Sequence, residues 1–155
     1  MLKLYKPKLE DMWFRQMMLE DEETMSYNHT WGGVIPFPKE YWKDWYDAWV
    51  NYSNPKDRIY YYLKDENDVF VGEIAYHYDQ EYQGRVANII IFSKYRHKGY
   101  GTVALKMLCE IAKENRITFL YDDIAIDNPA ISLFIKAGFK EQYRTNEIIL
   151  LKKDL

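Results

Sequence analysis

The order of apolar segments predicts an α/β domain with a mixed, mostly antiparallel sheet flanked by helices. Three observations carry this. The apolar run Ile89, Ile90, Ile91, Phe92 leads through a short glycine-bearing loop into residues 103–112, where Ala104, Met107, Leu108 and Ile111 share one helical face. A second strand-like run, residues 117–126, follows, and strand–helix–strand order calls for a right-handed crossover with parallel pairing. Around that unit residues 58–63 and 69–78 form a hairpin across the polar turn 64–68, and the closing stretch 139–152 is a final hairpin or one long strand.

Taken in order, Leu2, Leu4 and Tyr5 make a short first strand. Pro7 stands where a first helical turn accepts a residue without N–H, and Leu9, Met12, Trp13 and Met17 follow at helical spacing, predicting a helix to about Leu19. The acidic run 20–23 ends it as a solvated face. Beyond lies an aromatic region in which Trp42, Trp45, Tyr46 and Trp49 fall at i, i+3, i+4 and i+7, predicting a second amphipathic helix whose stripe reads as core. The loop before it holds Tyr27, His29 and Trp31, and a loop of that length needs a reason to exist. Gly72 interrupts the second strand of the first hairpin. The run at residues 89–92 does not alternate, which predicts a central strand buried on both faces. Near the end, Asn128 and Pro129 have the form of an N-cap and first helical residue, with Gly138 as the stop.

At 155 residues the chain fits one domain, 1–155, large enough to bury a core without staples. Twenty-four acidic against 21 basic residues give a net charge of −3, which excludes a general polyanion binder and so predicts no nucleic-acid partner. An apolar leader and a run of about 18 apolar residues are both missing, so the expectation is a cytoplasmic protein with no membrane partner. One cysteine, Cys109, excludes an internal disulfide and reads as a packed small hydrophobe. His29, His77 and His97 are separated without ligand spacing, so no metal is expected.

The basic loop carries the chemistry. A turn from a central strand into a helix aims unpaired N–H groups and the positive end of the helix dipole above the strand, where anions bind. Gly99 and Gly101 let the backbone approach closely, and Arg96 and Lys98 add charge. The ligand this implies is a phosphate or pyrophosphate; the alternative is a tight turn beside solvated cations. A P-loop is not the source, since no Lys-Ser/Thr follows the glycine and no Gly-x-Gly-x-x-Gly occurs.

Arg96-x-x-Gly99-x-Gly101, after a strand and opening a helix, resembles the pyrophosphate signature of the GNAT superfamily of N-acetyltransferases. Asn128-Pro-Ala130 followed by Leu133, Phe134, Ala137, Gly138 and Phe139 is similar to a second family segment in the right order and spacing. The resemblance implies splayed central strands and acetyl-CoA as cosubstrate. Its pyrophosphate would lie on Arg96, His97, Lys98, Gly99, Tyr100, Gly101 and Thr102. The main chain of Ile91, Phe92 and Ser93 would serve the pantetheine arm and the developing oxyanion, with Asn128 and Phe134 beside the arm.

Direct attack by a primary amine is the implied reaction, and the region of Tyr27, His29 and Trp31 would lie over the acceptor groove. Phe134 stands where the family often has a proton-donating tyrosine, so either the proton for the leaving thiolate comes from Tyr100, Tyr121 or water, or the thiolate needs no dedicated donor. The base candidates are Glu73 and His77, four apart on one strand face, and Asp122 with Asp123, which are unusual inside a strand. Aromatic residues with scattered carboxylates suit a small cationic acceptor, with a peptide amine as the alternative. A non-catalytic acyl-CoA-binding domain is the rival in kind, and homodimerisation is implied only by the family's habit of pairing.

Overall fold

Seven strands form one sheet in the computed structural model, which describes residues 1–155. In spatial order they are β1 (Lys3–Tyr5), β2 (Arg58–Lys64), β3 (Phe70–Asp79), β4 (Gly84–Ile91), β5 (Phe119–Ala125), β7 (Ile148–Asp154) and β6 (Lys140–Arg144). Every pair is antiparallel except β4 with β5, which the long helix α3 (Tyr100–Glu114) connects. The predicted first hairpin and the predicted parallel crossover pair are both present, and the closing stretch is a hairpin rather than one long strand.

Each sheet face covers its own core. Leu63, Val71, Ile74, Tyr76, Leu120 and Ile124 pack under α3 and the short helix α4 (Ile131–Lys136). On the opposite face Tyr60, Tyr62 and Ala75 meet Met12, Phe14, Met18 and Leu19 of α1 (Met12–Glu20), and α2 (Lys39–Trp49) packs against the same group. The inner face of α1 differs from the expected stripe. Leu9, Trp13 and Met17 are 39%, 49% and 39% exposed, because Arg15 must face inward to reach the buried carboxylate of Glu73, 2.7 Å away. A cation within the inward face hides its period.

The central strand also departs from expectation. β4 lies in the middle, yet residues 89–92 are only half-buried. Its register with β5 covers just Arg85↔Leu120 and Val86↔Tyr121, after which the two strands part and one edge of β4 is left unpaired. On the other side β3 pairs with β4 along its whole length, and Gly72 makes that approach possible: a Cβ there would stand 2.4 Å from the Ile90 carbonyl oxygen.

Two loops are more structured than predicted. The acidic run is not merely solvated, since Asp21 accepts hydrogen bonds from the backbone N–H and hydroxyl of Thr24 and from the Ser93 hydroxyl. These bonds, the Thr24 hydroxyl foremost, hold the Asp21 carboxyl below the usual carboxylate range. The loop with Tyr27, His29 and Trp31 is a 3-10 segment, Ser26–Trp31. At the far end α4 begins later than predicted: Ala130 is the N-cap, and Asn128 instead accepts the Ala130 N–H through Oδ1 at 2.9 Å, an Asx turn that delays the helix.

Candidate active site

The loop between β4 and α3 is held in an unusual conformation by residues that are not glycine as well as one that is. His97 and Gly99 have φ of 65° and 79°, so left-handed residues flank Lys98. Arg96 donates its N–H to the Ser93 carbonyl, and Val103 donates to Gly99. Between them the amides of His97, Lys98, Gly99, Tyr100, Gly101 and Thr102 donate to no acceptor in the protein. Space around Gly99 is open, whereas a Cβ on Gly101 would come 3.2 Å from Leu133 Cδ1, so Gly101 lets α3 lie close to α4.

Arg96 is placed differently from the predicted phosphate contact. Its guanidinium donates to the carbonyls of Ile91, Glu23 and Thr24, the last at 2.7 Å, and so ties the segment after α1 to the end of β4. Lys98 remains exposed at the cradle.

The parted strands form the cleft below this cradle. Phe92 donates its N–H to Val71 in β3, so by the alternation of an antiparallel pair the N–H groups of Ile89 and Ile91 point the other way, into the gap. The Ser93 N–H is taken by the Thr24 hydroxyl at 3.0 Å. Of the predicted trio, then, Ile91 alone offers a free amide to the cleft, and Ile89, missed from sequence, joins it.

Across the sheet from α3, a cavity of about 310 Å³ opens against this cleft. Glu73, His77, Asp122 and Asp123, the four predicted acid–base residues, all line it. Glu73 is fully committed: Arg15, the Tyr60 hydroxyl and the Asn88 amide all donate to it. His77 lies edge-on to Trp49, with Nδ1 buried and unpartnered, and burial pushes its pKa below the ordinary imidazole value. Asp122 is 8% exposed, and burial, reinforced by Asp123, holds its proton well above the usual carboxylate range. Asp123 is raised by burial too, with the Tyr82 hydroxyl donating to it at 3.2 Å.

Other predicted residues are dispersed. Trp31 lines the cavity; Tyr27 and His29 do not. His29 instead pairs with Asp127 at 3.0 Å, pinning the 3-10 segment to the turn after β5. Tyr100 and Tyr121 lie outside the cavity, Tyr100 against the α3-side core and Tyr121 against Phe119 and Tyr82. Phe134 is buried against Phe139, their rings 5.1 Å apart. Arg15, Tyr60, Asn88, Trp45 and Trp49 line the same cavity and were not predicted; Trp45 and Trp49 had a signal, in an aromatic stripe richer than a core face needs.

Comparison with known proteins agrees with this geometry. A family model described as the acetyltransferase (GNAT) family matches residues 13–139. No protein of curated function matches by sequence. Among solved structures, the fold is similar to that of spermidine N-acetyltransferase from Vibrio cholerae in complex with CoA and spermine, with a TM-score of 0.81 at 16% identity, covering 99% of this chain and 95% of that one. It is also similar to the GNAT domain of S. lividans PAT, with a TM-score of 0.74 at 15% identity, covering 99% and 89%. The family model spans most of the chain and both of its recognisable motifs, and on that ground the protein belongs to the GNAT family of acetyltransferases.

Proposed function

We propose that this protein transfers the acetyl group of acetyl-CoA to the primary amine of a small cationic acceptor. The observation that carries the reading is the set of six unclaimed amides, residues 97–102, at the mouth of a 15-residue helix whose feeding strand has parted from its neighbour. An unpaired amide cluster at a helix N-terminus is an anion site, and the cleft leading from it has room for an extended arm. Acetyl-CoA fits both features: the diphosphate on the amides and Lys98, the arm along the open edge of β4.

What acetyl-CoA supplies is the acetyl thioester. The protein's part is to hold that carbonyl near the N–H groups of Ile89 and Ile91, which favour negative charge developing on its oxygen, and to present the amine from the opposite cavity. The acceptor must shed a proton before it attacks, and His77 and Asp123 are the groups in reach of that cavity. Its volume lies at the small end of ligand pockets, which supports a small molecule over a peptide segment.

Calorimetric titration with CoA tests the cradle. Wild-type protein should bind, and Gly99→Asp should lose affinity by about a hundredfold, since a carboxylate would face the diphosphate and a side chain would strain a φ of 79°. Unchanged affinity in a folded variant would refute the assignment.

A further inference from the structure

Aromatic faces around a buried carboxylate make a site for an organic cation. The cavity contains such a site, and the chain fills it with its own arginine. The Arg15 guanidinium lies 3.8 Å over the Trp45 ring centre and 5.2 and 5.6 Å from the centres of Phe37 and Tyr60. Its Nη1 donates to Glu73 Oε1 at 2.7 Å, the Tyr60 hydroxyl donates to the same oxygen, and the Asn88 amide donates to Oε2 at 3.0 Å. Trp49, stacked on Trp45 with ring centres 5.8 Å apart, is covered in the same way by Arg58, 4.3 Å away, which is fixed by a bond to the Ala48 carbonyl at 2.8 Å. Both tryptophans that α2 presents to the cavity thus already carry a cation of the protein.

The remaining charges limit what else can enter. Strand alternation sends the Asp122 carboxyl to the α3 side with Leu120 and Ile124, and leaves Asp123 as the β5 acid on the cavity side. Asp123 accepts the Tyr82 hydroxyl at 3.2 Å and belongs to no ion pair. One cavity carboxylate is therefore matched by a fixed cation and one is not, so a single positive charge has a place. A second ammonium reaching the Glu73 end would face the Arg15 charge at low dielectric, where like charges repel strongly. Arg15 Nε is also buried with no acceptor in the protein. An oxygen satisfies such a donor, and an ammonium, having no lone pair, does not.

Resting on the acetyltransferase reading, we propose that Arg15 is a specificity-determining residue, a built-in cation that holds the aromatic and carboxylate site and restricts the acceptor to one positive charge. The reacting ammonium enters on the Asp123 side. The other end of the acceptor, lying toward Arg15, bears an oxygen and no second ammonium, and its carbon chain runs along Leu19, Met25 and Ile90 of the cavity wall. The substrate class is a primary monoamine with an oxygen-bearing tail, and diamines of the same length are rejected.

The isosteric pair 5-amino-1-pentanol and 1,5-diaminopentane tests this, titrated calorimetrically into the full-length protein loaded with CoA at neutral pH. The wild type should bind the amino alcohol at least about tenfold more tightly than the diamine. Arg15→Met, which frees Glu73 and the Trp45 face, should reverse the order and shift the ratio of the two affinities by about a hundredfold. Arg15→Lys, which keeps the charge, should retain the wild-type order. Equal or tighter binding of the diamine by the wild type, no binding of either probe, or an unchanged ratio in folded Arg15→Met overturns the proposal. Should Arg15→Met fail to fold, the order in the wild type and in Arg15→Lys decides alone. Failure of the wild type to bind CoA would instead sink the acetyltransferase reading, and the same titrations on unloaded protein would still judge Arg15.

Discussion

Individual residues here divide between holding the site and acting in it. Arg96 opens the signature motif, yet its three carbonyl contacts make it a clasp between the end of β4 and the segment after α1. Hydrogen bonds from a charged donor are each worth about 1.5–3 kcal/mol. Arg96→Ala should therefore lower unfolding stability by about 2–3 kcal/mol in urea denaturation, and Arg96→Lys should not restore it, since a point charge cannot replace the fork. Unchanged stability with lost CoA affinity would show that Arg96 grips phosphate after all. Asp122 makes the opposite trade. Its folded-state pKa is raised, by burial first, so the stability it allows is fully present below the unfolded carboxyl pKa of about 4 and is lost as pH rises through the folded value. At neutral pH Asp122→Asn should thus be more stable than wild type, by about 1–3 kcal/mol. The gap should close as pH is lowered toward about 4, and a variant less stable at every pH would contradict this.

At the scale of elements, the β3–β4 pair is the rigid wall and the β4–β5 split is the opening. Gly72 belongs to the wall: with a Cβ 2.4 Å from a backbone carbonyl, Gly72→Ala must push β3 from β4, and a loss of about 2–4 kcal/mol should appear as a lower denaturation midpoint. Sequence alone exposed the loop of the site because Arg96, Gly99 and Gly101 sit within six residues, after a strand and before a helix. It exposed the crossover and the first hairpin for a similar local reason. The face of α1 was not legible, since Arg15 answers to Glu73, far along the chain, rather than to its own period. Nor was the role of Ile89, because which amides of β4 are free depends on where β5 leaves it. The Asp122–Asp123 pair was visible as an anomaly in a strand; its burial was not.

For the molecule as a whole, the sheet is a partition with a gap. The amides of residues 97–102 end one side of the gap, and the aromatic, acid-lined cavity fills the other; in the proposed reaction donor and acceptor meet there from opposite faces. Glu73 and Arg15 join the helical layer to the sheet in the middle of that cavity, which fixes its walls. An arrangement with a cradle and cleft but no acceptor chamber would fit a protein that only binds coenzyme A. The chamber is what argues for transfer. The most direct measurement is the release of free coenzyme A thiol from acetyl-CoA with a panel of primary amines, with the acetylated amine identified by mass spectrometry. Amine-dependent thiol release with matching acetylated product is the predicted result; tight acetyl-CoA binding with no release above the amine-free rate for any amine would contradict it.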